Sequence, residues 1–256
     1  MEVQVLGDGE RVIHLYEREC SLQRRRQKLW EEAPAACLPP AVRERLCASA
    51  ARLASLVGYR GAGTLEYLYD ADTESFFFIE MNTRIQVEHP VTEMVTGIDL
   101  VREMLRVAGG APLSVGQDEV HCRGHAVEVR INAEDPTRGF LPSPGTVTGL
   151  EVPGGMGVRF DTMLYAGCTV PPFYDSLLGK LVVWDTSREA ALARLARALG
   201  ELKVDGVPTT TALHLALAAD TDVRANRVHT GWLEDWLDRR GAEAIAPRSR
   251  PGGPAA

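Results

Sequence analysis

Two glutamates, Glu66 and Glu80, lie in alternating segments, Thr64–Tyr69 and Ser75–Asn82, with Asp70–Glu74 between them as a turn. In a symmetric hairpin Glu66 faces Glu80 and Thr64 faces Asn82. The other side of the sheet then carries Leu65, Tyr67, Tyr69, Phe77, Ile79 and Met81, all suited to a core. Carboxylates opposed across a strand pair repel, so the pairing costs stability unless a cation sits between them. Asn82 adds an amide oxygen on the same side. Such oxygen ligands suit Mg²⁺ or Mn²⁺, which takes one or two carboxylates and fills its other positions with water and phosphate. A solvated sheet face with two ordinary glutamates fits the same pattern.

Arg84, Gln86, Glu88 and His89 follow directly. If the strand runs on, Glu80, Asn82, Arg84, Gln86 and Glu88 point the same way. An arginine beside a carboxylate, both near a metal, can hold a small oxyanion and supply a base; a salt-bridged edge strand is the alternative. Gln23 to Lys28 is a run of cations that would attract phosphate or carbonate, or else a solvated basic loop. Lysine is scarce, only Lys28, Lys180 and Lys203 against many arginines, which hints that a compact point charge is needed where it occurs. His125 fits a satisfied core position, and Pro153–Gly157 fits a turn. Asp175 and Lys180, near Tyr174, fit either a buried pair or a partner contact.

The elements that must position these groups follow from pattern. Glu2–Leu6 and Arg11–Tyr16 alternate as strands around a Gly7–Gly9 turn, whereas Glu17–Pro34 loses the pattern and is expected to be irregular. A helix is expected from Pro40 to Leu56, stopped by Gly58. Helices at Pro90–Thr96 and Ile98–Ala108 precede a linker at Pro112–Asp118. Strands at Ala126–Ala133, Thr146–Val152, Val158–Thr162 and Lys180–Trp184, a helix at Ser187–Leu202 and short elements to Trp236 complete the chain. The fold class is α+β in two units, 1–112 and 118–236, with a Pro-, Gly- and Ala-rich tail, 241–256, expected to be disordered.

Composition bounds the function. The chain has 256 residues, 45% of them apolar, enough for a core without disulfides or metals. A net charge of −7 with no extended basic cluster argues against nucleic-acid binding. No apolar stretch approaches the length of a membrane span. Five cysteines, an odd number without a CxxC pair, fit reduced thiols and a cytoplasmic location.

The run Glu80-Met-Asn-Thr-Arg-Ile-Gln-Val-Glu-His-Pro-Val-Thr-Glu-Met-Val-Thr-Gly97 resembles the signature of biotin carboxylases, within the ATP-grasp superfamily. Glu31–Pro34, Gly58–Gly63, Arg130–Pro136, Phe140–Gly145 and Tyr174–Lys180 match the same family in the same order. The resemblance implies the carboxyl-terminal half of an ATP-grasp domain followed by a β-rich biotin carboxylase C-terminal domain. It implies a ligase that makes carboxybiotin from ATP, bicarbonate and biotin attached to a carrier protein. Such ligases serve acetyl-CoA and other acyl-CoA carboxylases in fatty acid biosynthesis, and pyruvate and urea carboxylases.

Residue by residue, the resemblance implies that Glu66, Glu80 and Asn82 bind the Mg²⁺ or Mn²⁺ that bridges the ATP phosphates. Gln23, Arg26 and Lys28 would sit at the nucleotide with Glu66 and Glu80. Lys28, Arg84, Gln86 and the Val87 backbone would hold bicarbonate. Glu88 would be the base, and Arg130 would bind biotin and stabilise its enolate. Arg84, Glu88 and Arg130 are thus the catalytic set. The implied partners are a biotin carboxyl carrier protein, a carboxyltransferase and a second copy in a homodimer.

Two departures stand out. The family has histidine where this sequence has Arg26. The resemblance also reaches only the carboxyl-terminal half of such enzymes, so an amino-terminal half with a glycine-rich lid is expected as a further partner, and the chain alone is expected to be inactive. No Ala-Met-Lys-Met biotin attachment site occurs. A silent remnant that keeps a dimer-forming or carrier-binding surface is the alternative.

Overall fold

The computed structural model describes residues 1–241 and Ile245. Most of the tail expected to be disordered therefore lies outside the described residues. The strands are β1 (Glu2–Asp8), β2 (Val12–Arg24), β3 (Gln27–Ala33), β4 (Arg60–Asp70), β5 (Ser75–Asn82) and β6 (His125–Asn132). Then come β7 (Glu134–Asp135), β8 (Leu141–Pro142), β9 (Gly145–Thr146), β10 (Gly149–Glu151), β11 (Val158–Thr162), β12 (Thr169–Val170), β13 (Leu177–Asp185) and β14 (Lys203–Asp205). The helices are α1 (Pro40–Leu56), α2 (His89–Thr96), α3 (Leu100–Ala108), α4 (Arg188–Glu201), α5 (Thr211–Ala219), α6 (Thr221–Arg224) and α7 (Trp232–Arg240).

One eight-stranded sheet, in the order β11-β13-β6-β3-β2-β1-β4-β5, runs through both halves of the chain because β3 pairs with β6. The helices end where local chemistry stops them. Pro40 opens α1, the side chains of Asp99 and Ser187 cap α3 and α4, and Gly97 ends α2 in the left-handed region. Helices α1, α4 and α5 bury one side of the sheet through Val3, Val5 and Leu65 at one end and Trp30, Val129 and Leu181 at the other. On the opposite side α3 covers Leu6 and Ala62, and α2 covers Ala33, Ala126 and Val182. Between α2 and the edge strand β5, that side carries the polar residues of the site.

The segment Glu17–Pro34, expected to be irregular, is a long antiparallel pair, β2 and β3. Its alternation is masked because Glu17, Arg18, Glu19, Glu31 and Glu32 are buried although charged. Each finds partners in the fold: Glu17 with Arg43, Glu32 with His125 and Arg188, and Glu19 with Ser21 and Asn226. His125 is thus a satisfied buried residue, as its pattern suggested. Lys180 donates to the Val87 carbonyl at 3.0 Å and lies 3.8 Å from Asp161, while Asp175 accepts from the Leu177 amide. Asp175 and Lys180 therefore have separate partners.

The β4–β5 register is as expected at its open end, with Glu66 opposite Glu80 and Thr64 opposite Asn82, but a bulge follows. Beyond it Tyr67 faces Phe78 and Tyr69 faces Phe76. Phe76 and Phe78 pack edge-on against Tyr67. Phe77 and Ile79, expected in the core, are instead 59% and 52% exposed. The extra residue in one strand shifts side-chain alternation by one, which pattern alone does not reveal. Strand β5 also ends at Asn82, so Arg84 to Glu88 leave the sheet instead of continuing its alternation.

Tyr59 fixes the β1–β4 pairing by crowding two glycines. A Cβ on Gly7 would lie 2.1 Å from the Tyr59 carbonyl oxygen, and one on Gly63 would lie 2.7 Å from its hydroxyl. Gly7→Ala should therefore force the backbone apart and destabilise the protein by about 1–3 kcal/mol, read as a fall in the thermal unfolding midpoint.

Candidate active site

Arg18 is fully buried on β2, and the β1–β2 register places it directly opposite Glu2. A shift in that pairing, at which Tyr16 adopts a left-handed φ of 64°, brings them together. Its guanidinium donates to Glu2 at 2.7 Å, Gln4 at 2.7 Å, Thr92 at 2.9 Å, Gln86 at 3.1 Å and Thr64 at 3.2 Å. A buried arginine is stable only with such complete pairing. It fastens β1, β4, α2 and the loop at Gln86 to one point.

Lys28 projects from β3 into this network. Its ammonium donates to Glu2, to Glu66 at 3.0 Å and to Glu88 at 2.7 Å. Burial alone would pull its pKa down, but the neighbouring Cys20, Glu2 and Glu88 hold it well above the ordinary lysine value. Burial alone would push the Glu2 carboxyl up, but Arg18 and Lys28 hold it down to about 2. Glu88 is clamped from its other side by Arg130 Nη2 at 3.0 Å, and Arg130 Nε donates to Glu31 at 2.8 Å. Residues 102 positions apart in sequence, Lys28 and Arg130, thus grip one carboxylate.

The Glu66 Oε1 atom also accepts from Gln86 Nε2 and Asn82 Nδ2, both at 3.1 Å, and Asn82 Nδ2 lies 3.5 Å from Glu80. A side-chain amide between two facing carboxylates occupies the position a cation would take. Rotated by a half turn, Asn82 would aim its oxygen there, completing a hard-oxygen donor set that fits Mg²⁺ or Mn²⁺. Arg84 is exposed, with its guanidinium 3.5 Å from Asn82 Oδ1. By contrast Glu2, Cys20 and Glu88 have metal-ligand spacing, but the Lys28 ammonium already bridges the two glutamates.

Sequence reasoning placed Lys28, Glu66, Glu80, Asn82, Arg84, Gln86, Val87, Glu88 and Arg130 here, and the structure brings all of them together. Gln23 and Arg26 stand apart. Gln23 donates back to the Cys20 carbonyl at 2.7 Å, and Arg26 is exposed at the β2–β3 tip with φ 65°. Glu2, Arg18 and Glu31 were not anticipated here, and Lys180 was singled out only as a scarce lysine in a buried pair or a partner contact. Charged residues inside strand-forming runs, Glu17-Arg18-Glu19 and Glu31-Glu32, were the signal that could have found Arg18 and Glu31.

Residues 128–235 match the model of the biotin carboxylase C-terminal domain, and residues 1–115 match that of the carbamoyl-phosphate synthase L chain ATP-binding domain. The chain matches the carboxyl-terminal half of biotin carboxylases. It is 53% identical to the biotin carboxylase of Pseudomonas aeruginosa over 238 residues, 93% of this chain and 52% of that protein. It is 48% identical to one of the pyruvate carboxylase subunits of Methanothermobacter thermautotrophicus over 245 residues, 95% of this chain and 49% of that protein. The chain therefore spans about half the length of these relatives. The biotin carboxylase domain of Hydrogenobacter thermophilus 2-oxoglutarate carboxylase, solved as a dimer with MgADP, ADP and bicarbonate, superposes with a TM-score of 0.91. It is 43% identical, over 97% of this chain and 54% of that one. Kluyveromyces lactis urea carboxylase gives 0.88 at 40% identity, over 91% of this chain and 20% of that one.

The charge balance of this site makes a pH-dependent prediction. Glu2's folded pKa of about 2 lies below its ordinary 4.5, so it contributes stability above pH 4.5 that is lost as pH falls toward 2. Lys28→Met removes the cation shared by three carboxylates, leaving Glu2 only Arg18 and Glu88 only Arg130, and should cost up to about 3–5 kcal/mol at pH 7. Urea unfolding should also show a shallower loss of stability between pH 4.5 and 2 in the variant, since Glu2 is then less depressed.

Proposed function

We propose that this chain forms the carboxyl-terminal half of a biotin carboxylase that uses ATP and bicarbonate to carboxylate biotin on a carrier protein. The observation that carries this reading is Glu88 held between Lys28 and Arg130, beside the facing pair Glu66 and Glu80. The solved 2-oxoglutarate carboxylase domain, which holds MgADP and bicarbonate, supports the same assignment of substrates.

In this reading Lys28, Arg84, Gln86 and the Val87 backbone bind bicarbonate. The amide of Gln86 is oriented by Arg18, and the Val87 carbonyl is pinned by Lys180. Glu88 takes the bicarbonate proton as an oxygen attacks the γ-phosphorus of ATP, and ADP leaves. Mg²⁺ or Mn²⁺ held by Glu66, Glu80 and Asn82 would neutralise charge on the ATP phosphates. The carboxyphosphate breaks down to CO₂ and phosphate, phosphate removes the biotin N–H proton, and the nitrogen attacks CO₂. Arg130 stabilises the negative charge on biotin oxygen through the N–H groups not engaged by Glu31 and Glu88.

Relatives act in pyruvate, 2-oxoglutarate and urea carboxylases, and this half-reaction serves them all. We assign the chain to an acyl-CoA carboxylase, such as acetyl-CoA carboxylase in fatty acid biosynthesis, with a carrier protein, a carboxyltransferase and a second copy as partners. The exposed Leu68, Phe77 and Ile79 beside the carboxylate pair favour cover by the amino-terminal half, which would supply the nucleotide lid. Five free thiols suit the cytoplasm, and among the described residues no helix is long and apolar enough to cross a membrane.

Metal binding is tested by thermal unfolding with Mg²⁺ or Mn²⁺, which should raise the midpoint as RT ln(1 + [L]/Kd). Glu80→Gln should abolish that gain and leave the metal-free protein equally or more stable. An unchanged metal response would refute the site. Catalysis is tested by pairing the chain with the amino-terminal half of the Pseudomonas aeruginosa relative. Glu88→Ala should abolish bicarbonate-dependent phosphate release while ATP binding persists, and Arg130→Ala should impair biotin carboxylation more than phosphate release. Equal loss of both activities in both variants would overturn this division of roles.

A further inference from the structure

Behind Arg130 lies a pair of carboxyl groups that the proposed chemistry does not use. Glu31 on β3 and Glu128 on β6 are directly opposed in register, and both are completely buried. Glu31 Oε1 accepts from Arg130. Its other oxygen and both oxygens of Glu128 have no hydrogen-bonding partner among the described residues. Unpartnered buried carboxylate oxygens are costly, and two facing carboxylates in a dry strand pair cannot both stay ionised.

The charges nearby do not rescue a second anion. Arg130, two residues along β6 from Glu128, already pairs with Glu31 and Glu88. Lys180 on β13 faces Arg130 and is engaged by the Val87 carbonyl and Asp161. From α2, packed over this part of the sheet, come Glu88 at the cap, His89 bonded to the Gln86 carbonyl, and Glu93 paired with Arg159. Glu2 on β1 and Cys20 on β2 lie farther along, with Glu2 taken by Arg18 and Lys28. None of these gives Glu128 a counter-ion of its own.

We propose that Glu31 and Glu128 share one proton at neutral pH, and that the single negative charge of this pair positions the Arg130 guanidinium. The O–H of one carboxyl donates to the free oxygen of the other, which satisfies atoms that are otherwise orphaned. Burial raises the Glu31 carboxyl to about 7 against the pull of Arg130, and burial with the neighbouring Glu31 drives that of Glu128 far higher, so the two titrate as a unit. Arg130 keeps the anion on the Glu31 side. The placement of the proton stands on burial and register alone. Its meaning for biotin rests on the function proposed above.

Infrared spectroscopy of the chain, with glutamate carboxyl groups isotopically labelled, tests the proton without any substrate. At pH 7 the wild type should show the carbonyl stretch of a buried un-ionised carboxylic acid. Glu128→Gln should lose it, because Glu31, bonded to Arg130, then ionises, whereas Glu31→Gln should shift it, because Glu128 keeps its proton but no longer donates to a carboxylate. No acid signal in the wild type would overturn the proposal. So would a signal that survives Glu128→Gln, or one that Glu31→Gln leaves unshifted, since the two carboxyls would then not share the proton. In the reassembled enzyme Glu128→Gln retains the Glu31 carboxylate against Arg130, whereas Glu31→Gln and the double variant leave Arg130 only Glu88. Glu31→Gln and the double variant should therefore lower kcat/KM for biotin at least tenfold with KM for ATP unchanged, and Glu128→Gln should not. A double variant with unaltered biotin kinetics would overturn the positioning role while leaving the infrared result and the assigned reaction intact.

Discussion

A single ammonium group, that of Lys28, stands among Glu2, Glu66 and Glu88, and the surrounding structure is arranged to keep that charge cluster both desolvated and neutralised. Removing ions from water costs several kcal/mol each, so such a cluster forms only where backbone geometry fixes every partner in advance. The eight-stranded sheet supplies that rigidity. Arg18 opposes Glu2, Glu66 opposes Glu80 and Glu31 opposes Glu128, so three strand pairings each present two ionisable groups to the same region. Each pairing alone is unfavourable or neutral. Together they alternate positive and negative groups from Arg18 through Lys28 and Glu88 to Arg130.

This arrangement explains why the site spans the two halves of the chain. Glu66 comes from β4, which carries α1 and α3, whereas Lys28 on β3 and Arg130 on β6 come from strands packed on α4 and α2. The β3–β6 pairing joins them into one sheet. Glu88, at the cap of α2, is where the two regions meet. A group held by cations from both sides is fixed in position with its charge shared between them. The outer pair, Glu66 and Glu80, lies at the sheet edge.

The helices serve the site mainly by what they leave open. On one side, α1, α4 and α5 bury an unbroken apolar layer. On the other, α2 and α3 cover only the ends where Leu6, Ala62, Ala126 and Val182 are apolar. The uncovered middle is polar because its neighbours are ionic, and its apolar rim at Leu68, Phe77 and Ile79 follows from the bulge in the β4–β5 pair.

Elements with strong local signals were legible from residue order: the proline- and glycine-bounded α1, the capped α4, and the hairpin whose turn opposes Glu66 to Glu80. So was the family, through the run from Glu80 to Gly97, and with it most of the residues that gather at the site. The β2–β3 pair was not, since buried Glu17, Arg18, Glu31 and Glu32 look solvent-facing until their partners, distant in sequence, are known. The bulge at Ile79 left no trace either, because one inserted residue leaves composition unchanged while reversing which aromatics face the core. Nor did pattern distinguish Arg26, exposed at a hairpin tip, from Lys28 two residues later, the centre of the ion network. Burial and partnership of charged side chains are decided by strand register across the whole sheet. Register is a property of the tertiary structure, because each strand's apolar face is satisfied only when all its neighbours are in place.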